Sequence, residues 1–228
     1  MIYISTGGFK SEKSIDSINK LVKSNIFNIE LSGGKHDVEQ IKKIKSVKKM
    51  DHKLNLQVHN YFPPPLEPFV FNLASLNNHI ASRSMQHAMD AINLASALKS
   101  KYYSFHAGFL LDPNVNELGM RIKKKILYDR NDSKLVFIKR VNQLANFAKE
   151  KRITLLIENN VLSHSNFHEF GGNILLMVDD VECEEIMNNV SSNVKMLVDV
   201  AHLKVSANSL NFNKVSFLSR LEKWIYGY

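Results

Sequence analysis

Four apolar runs of this chain end on a residue able to hold a metal ion or move a proton. LNLQV precedes His59, YYSF precedes His106, TLLI precedes Glu158 and KMLV precedes Asp199, with His202 three residues further on. Taken singly, such a tip is ordinary: a strand-end histidine commonly satisfies a hydrogen bond within the fold, and Asp199 is also of the type that caps a helix. Five at equivalent places form a pattern. A carboxylate beside an apolar strand is costly to bury without a partner, and a divalent cation is a partner that imidazole and carboxylate both accept. This donor set admits Mn, Zn, Mg or Co without choosing among them. The single cysteine, Cys183, allows neither a thiolate cage nor an internal disulfide, which points to a reducing, cytoplasmic setting.

The elements that must position these residues alternate. Short runs rich in branched residues, at 2–5, 28–32, 53–59, 102–106, 154–158, 194–199 and 224–228, read as strands. Between them lie segments of helical period. Ser14 can cap a helix striped by Ile15, Ile18, Leu21 and Val22. Asp37 and Gln40 form a capping-box-like start to one whose buried stripe is Val38, Ile41, Ile44 and Val47. A helix over about 81–100 follows the proline-rich loop 61–68, and another carries Leu135, Ile138, Val141, Leu144 and Ala148. Asp180 can cap a short helix, and Val215, Leu218 and Leu221 mark the last. Two polar stretches, 108–133 and the segment holding His164, His168, Gly171 and Gly172, read as long loops, which usually serve a site.

Alternating β and α fits an open doubly wound sheet or a (β/α) barrel. In an open sheet, strands about 4.8 Å apart would spread four consecutive ends along a line too long for one site. A barrel brings them together on the face where barrel active sites lie. His36, His52, His79, His87, His164 and His168 lie out of that register and read as structural, with His168 and Glu169 kept as outside candidates because their loop follows Glu158.

The strings LQVHNY, YSFHAGF, LLIENN and LVDVAH resemble the strand ends of the xylose-isomerase-like TIM-barrel superfamily of sugar isomerases, sugar epimerases and endonuclease IV-type enzymes. The resemblance spans nearly the whole chain. It implies that Glu158 and Asp199 are metal ligands and that Glu158 is also an acid/base group. His202 matches the histidine that binds substrate oxygen in the epimerases and a further metal in the endonucleases. His59 and His106 match the pair that joins the strand-five Glu in one metal site of the endonucleases. The family also expects a His closing strand seven and a Glu closing strand eight, and the sequence stops at Tyr228 before either. The expectation is therefore a TIM barrel lacking its last one to two βα units, with residues 1–228 as one incomplete domain. Its unpaired strand edges would invite contact with a second copy.

Composition sets the outer bounds. The 228 residues are 44% hydrophobic and 23% charged, the balance of a globular chain rather than a disordered or fibrous one. No apolar run approaches the roughly 20 residues of a membrane span. The formal charge of +8 could draw phosphates or nucleic acid, but the runs Lys42–Lys49 and Lys123–Lys125 read as solvated faces. We therefore expect a divalent-metal-dependent isomerase or epimerase acting on a sugar or sugar phosphate through an enediolate. The alternative is a phosphodiesterase on abasic DNA, suggested by the histidine pair, the string Phe71–Asn72–Leu73–Ala74, Ser82–Arg83 and the basic balance. A third reading is a barrel that binds without turnover.

Overall fold

The computed structural model describes residues 1–9 and 12–228. Seven strands carry the fold: β1 (Ile4–Ser5), β2 (Asn28–Leu31), β3 (Asn55–His59), β4 (Tyr102–His106), β5 (Thr154–Glu158), β6 (Val194–Leu197) and β7 (Ile225–Gly227). Between them lie α1 (Ser14–Lys23), α2 (Gln40–Met50), α3 (Asn78–Ala97), α4 (Arg130–Glu150), α5 (His164–Phe170), α6 (Asp180–Asn189), α7 (Val200–Leu210) and α8 (Lys214–Leu221). Every strand pairs in parallel with its sequence neighbour, in the order β1 to β7. β1 and β7 each pair on one side among the described residues, so the sheet is a partial barrel rather than a closed one.

Two-residue alternation sorts the side chains. Ile29, Leu31, Val58, Tyr103, Phe105, Leu155, Ile157 and Met196 turn outward and are fully buried against the helices. Each such side chain withdrawn from water contributes about 1.5–3 kcal/mol. Ile18 of α1, Ile44 of α2, Ala88 and Ile92 of α3, and Val141 and Leu144 of α4 meet them. The alternate positions, Glu30, Gln57, His59, Ser104, His106 and Glu158 among them, face the lumen and carry the polarity.

Several local expectations change. Ser14 does not cap α1: Lys13 holds that position, and the Ser14 hydroxyl bonds Gly33 O and Gln40 Oε1. No capping box forms at 37–40, because Gln40 is buried against Ser14 while Asp37 accepts from the Glu39 N–H and Lys43 Nζ. Val38, Leu135 and Val215 are exposed, not part of buried stripes. Asp179 rather than Asp180 caps α6, accepting from the N–H groups of Val181 and Glu182. β6 ends at Leu197, two residues short of Asp199, which caps α7 by accepting from the His202 N–H.

The two long loops are built pieces. The segment after β4 buries Leu110, Leu111 and Ile122, the last two in a second apolar cluster with Leu162, Ile174, Leu175 and Val178. Asn72 holds it from below, its Nδ2 donating to Phe109 O, Leu111 O and Asp112 Oδ1. The segment after β5 contains α5, capped by Ser163 and stopped by Gly171 at φ 70°. No helix among the described residues is long and apolar enough to cross a membrane.

Candidate functional site

Strand register brings the polar tips together. His106 on β4 stands beside Glu158 on β5, which stands beside Leu197 on β6, and His59 on β3 stands beside Ser104 on β4. Glu158 is the centre of the cluster. Its Oε2 lies 3.5 Å from His59 Nε2, and its Oε1 lies 3.5 Å from His106 Nδ1 and 3.2 Å from His202 Nδ1. His202 Nε2 stands 3.7 Å from Asp199 Oδ2.

The surrounding chain fixes the rings. His59 Nδ1 hydrogen-bonds the buried Ser104 hydroxyl at 2.8 Å, which leaves Nε2 toward Glu158. His202 Nδ1 donates to the carbonyl of Asn159 at 3.0 Å, keeping a proton on that nitrogen. Asn159 also grips Asp199: its Oδ1 accepts from the Asp199 N–H, and its Nδ2 donates to the Asp199 carbonyl.

Charge follows from this packing. Burial pushes the Glu158 carboxyl up, but the His202 hydrogen bond and the imidazoles of His106 and His59 outweigh it and hold the group at about 2. His106 opens on the cavity, with 30% of its side chain exposed, yet it sits deep enough that burial lowers its imidazole to about 4, against the pull of Glu158. His202 moves upward: burial opposes charge there, and the Glu158 hydrogen bond prevails. Near neutral pH Glu158 is thus an anion and His106 a neutral imidazole.

These are the protonation states in which such groups bind metal. The ligand atoms of His59, His106 and Glu158 lie within 4.8 Å of one another, and so do those of Glu158, Asp199 and His202. Separations of 3.5 Å match donors sharing an ion at about 2.0–2.1 Å each. The donor set fits a divalent cation, although no ion's identity follows from it.

The cluster opens on a cavity of about 740 Å³. Its lining also holds Ser5, Glu30 and Ser32, none of which is among the imidazole and carboxylate strand tips. The alternation of Glu30 between Ile29 and Leu31 is the signal that marks it as lumen-facing. The outside candidates do not join the cluster. Glu169 pairs with Arg121, and His168 Nε2 meets His164 Nε2 at 3.0 Å on α5. His36 bonds Pro64 O, and His87 is buried among aromatic rings. Lys125 is occupied with Asp112 O and Glu117.

A part-barrel of parallel βα units with acid and imidazole groups at the strand ends defines a class, and sequence comparison gives it a family. Residues 29–220 match the model of the xylose isomerase-like TIM barrel, and the chain belongs to that family. Among solved structures it resembles a D-tagatose 3-epimerase-like protein at 18% identity and TM-score 0.65, over 94% of this chain and 71% of the other. It also resembles a D-psicose 3-epimerase in the presence of D-fructose, at 16% identity and TM-score 0.67, over 98% and 70%. A third is a Thermus thermophilus protein soaked with zinc chloride, at 13% identity and TM-score 0.56, over 89% and 67%. At such identities the likeness concerns the fold. Among curated proteins, none matches in sequence.

Proposed function

We propose that this chain carries the site of a divalent-metal-dependent sugar isomerase or epimerase. The observation that carries the reading is the Glu158 carboxylate, buried among three imidazoles at 3.2–3.5 Å and open to a cavity of about 740 Å³, within the range of small-molecule sites. Glu158 and Asp199 would hold the ion, with His59 and His106 offering a second set of donors around the same Glu158. When bound, the ion supplies Lewis-acid polarisation of a carbonyl, which acidifies the adjacent C–H.

The remaining work falls to the chain. Glu158 is the base, taking the proton beside the carbonyl to leave an enediolate. Delivering that proton to the former carbonyl carbon on the same face, while the enediolate's hydroxyl proton passes to that carbon's oxygen and leaves the carbonyl on the first carbon, isomerises the sugar; epimerisation needs a second acid on the opposite face. His202, its Nδ1 proton held by Asn159, presents Nε2 as the atom that orients a substrate oxygen.

The abasic-DNA reading loses two supports. Asn72 of the Phe71–Ala74 string is fully buried and spends its side chain on the loop after β4, while Arg83 lies over the Phe69 ring and donates to Glu67 O.

Metal analysis of the purified protein, paired with a screen of ketoses in the presence of Mn²⁺, Mg²⁺, Co²⁺ or Zn²⁺, tests the proposal. The expected result is a stoichiometric ion and a shift of the carbonyl or a stereocentre, both lost in Glu158→Ala. Cleavage of abasic DNA without action on any sugar would transfer the site to the phosphodiesterase reading. A bound ion with neither activity would leave a binding barrel.

A further inference from the structure

On β2, the strand beside that of His59, stands a carboxylate without a partner among the described residues. Glu30 lies on β2 between Ile29 and Leu31, both fully buried against helices, so its side chain enters the lumen and lines the cavity with Ser5 and Ser32. Register places it directly beside Ser5 on β1 and Gln57 on β3. Other carboxylates of the chain are engaged: Glu117 by Lys125 and two backbone N–H groups, Glu182 by Arg130 and the Met177 N–H, Asp112 by Ser75 and Tyr128. The Glu30 carboxylate makes no hydrogen bond or ion pair with the described residues. An ionised carboxylate with free lone pairs facing a cavity is an acceptor for two hydroxyls at once.

The charge of the cavity says which hydroxyl compound. Its lining holds Glu30, Glu158, Asp199 and three imidazoles, and no Lys or Arg among the described residues. A divalent ion on Glu158 and Asp199 is balanced by those two carboxylates, which leaves Glu30 uncompensated. A phosphate ester would bring about −1.5 to −2 of charge to a wall that already carries one negative charge and offers no guanidinium or ammonium fork. Glu30 also lines an adjoining cavity of about 500 Å³ that holds Lys48, Lys99 and Lys101, but among the described residues none of these lysines makes an ion pair with it, and none lines the cavity of the histidines.

We propose that Glu30 is a specificity-determining residue, which accepts hydrogen bonds from substrate hydroxyls and selects a free, uncharged sugar over its phosphate ester. The assignment rests on the isomerase or epimerase reading of the same cavity. Like-charge rejection of the wrong ligand is the complement of the hydroxyl contact, so one side chain supplies both halves of the discrimination.

The test is calorimetric binding to the Mn²⁺-loaded full chain, with D-psicose, D-tagatose and L-ribulose as free sugars and D-fructose 6-phosphate as the ester. Wild type, Glu30→Gln and Glu30→Lys are compared, with circular dichroism confirming the fold of each. The free sugars should bind the wild type at least about tenfold more tightly than the ester. Loss of a charge-assisted bond should weaken their binding to Glu30→Gln by about ten- to a hundredfold and narrow the preference, and Glu30→Lys should reverse it. A wild type that prefers the ester, or a preference unchanged in both variants, overturns the role of Glu30 and leaves the site's assignment to sugars standing. Failure of every sugar and ester to bind overturns the isomerase reading itself.

Discussion

Asn159 and Asp199 clasp each other across the ends of β5 and β6. The Asp199 N–H donates to Asn159 Oδ1 at 2.8 Å, and Asn159 Nδ2 donates to the Asp199 carbonyl at 3.2 Å. The carbonyl of Asn159 meanwhile accepts from His202 Nδ1. The residue after Glu158 thus sets the placement of a proposed ligand, Asp199, and of the proposed substrate-orienting His202, which lie 40 and 43 residues further along the chain.

Replacing Asn159 by alanine should cost about 1–3 kcal/mol, since two backbone groups lose partners. Groups that orient ligands from behind typically change metal affinity by about ten- to a hundredfold, so metal titration should show a loss of that size. Asn159→Asp keeps the acceptor for the Asp199 N–H and loses the donor, so it should fall between the two. Unaltered metal affinity in the alanine variant, with a lowered melting midpoint, would confine Asn159 to a structural part.

Glu158 belongs to both donor groups, and its replacement should act on both. A ligand at a hundredfold excess over its Kd adds about 2.7 kcal/mol to the folded state, which for a chain of this size raises the melting midpoint by about 5–10 °C. Saturating Mn²⁺ or Zn²⁺ should produce that rise in the wild type. Glu158→Gln, which keeps the shape and loses the charge, should abolish it. Survival of the full rise would place the bound ion elsewhere.

The site was legible because strand tips are marked by a change of residue type. An imidazole or carboxylate closing an apolar run needs a reason, and four of them, with His202 three residues past the last, needed a shared one. Glu30 lies inside a strand rather than at its tip, and its message is carried by alternation with Ile29 and Leu31. Short helices are harder to read: α5 is seven residues, HSNFHEF, whose polarity hides a short helix stabilised by Ser163 and Gly171. Gln40 misled in the opposite way. Its spacing from Asp37 suits a capping box, but a hydroxyl 26 residues away, on Ser14, occupies its side chain. The exposed Val38, Leu135 and Val215 show that period alone does not say where a helix's covered face begins.

Gly108 lies just past β4 where the chain passes close to the segment before α3. A Cβ there would stand 2.2 Å from the Ala74 Cβ, 2.9 Å from Asn72 Oδ1 and 3.0 Å from the Ala74 nitrogen. Two of those neighbours are held in place, because Asn72 also supports the loop after β4. Overpacking of this kind costs about 1–3 kcal/mol, and Gly108→Ala should lower stability by at least that much in denaturant unfolding. Adding Ala74→Gly removes the worst contact and keeps the other two, so the double variant should recover only part of the loss. Full recovery would show that the Asn72 segment gives way more easily than its hydrogen bonds suggest.

His87 supplies a pH dependence separate from the site. It is buried on α3 against the rings of Tyr61, Phe69 and Phe71, and its Nε2 has no hydrogen-bond partner among the described residues. Burial lowers its imidazole from 6.5 to about 4. The folded state therefore holds His87 neutral while the unfolded chain takes up a proton as pH falls below 6.5. Its contribution is fully present above that pH and is lost progressively as pH falls through 4, amounting to about 3 kcal/mol over the window. His106, also lowered by burial, adds a loss of the same sign, so the wild-type profile alone does not isolate His87. The difference between wild type and His87→Phe does: phenylalanine suits the aromatic surroundings and cannot bind a proton. Urea unfolding at about pH 7 and about pH 4.5, on either side of the unfolded imidazole's titration, should show the variant losing less stability than the wild type between the two. Equal losses would mean that His87 takes up its proton in the folded state as readily as in the unfolded chain.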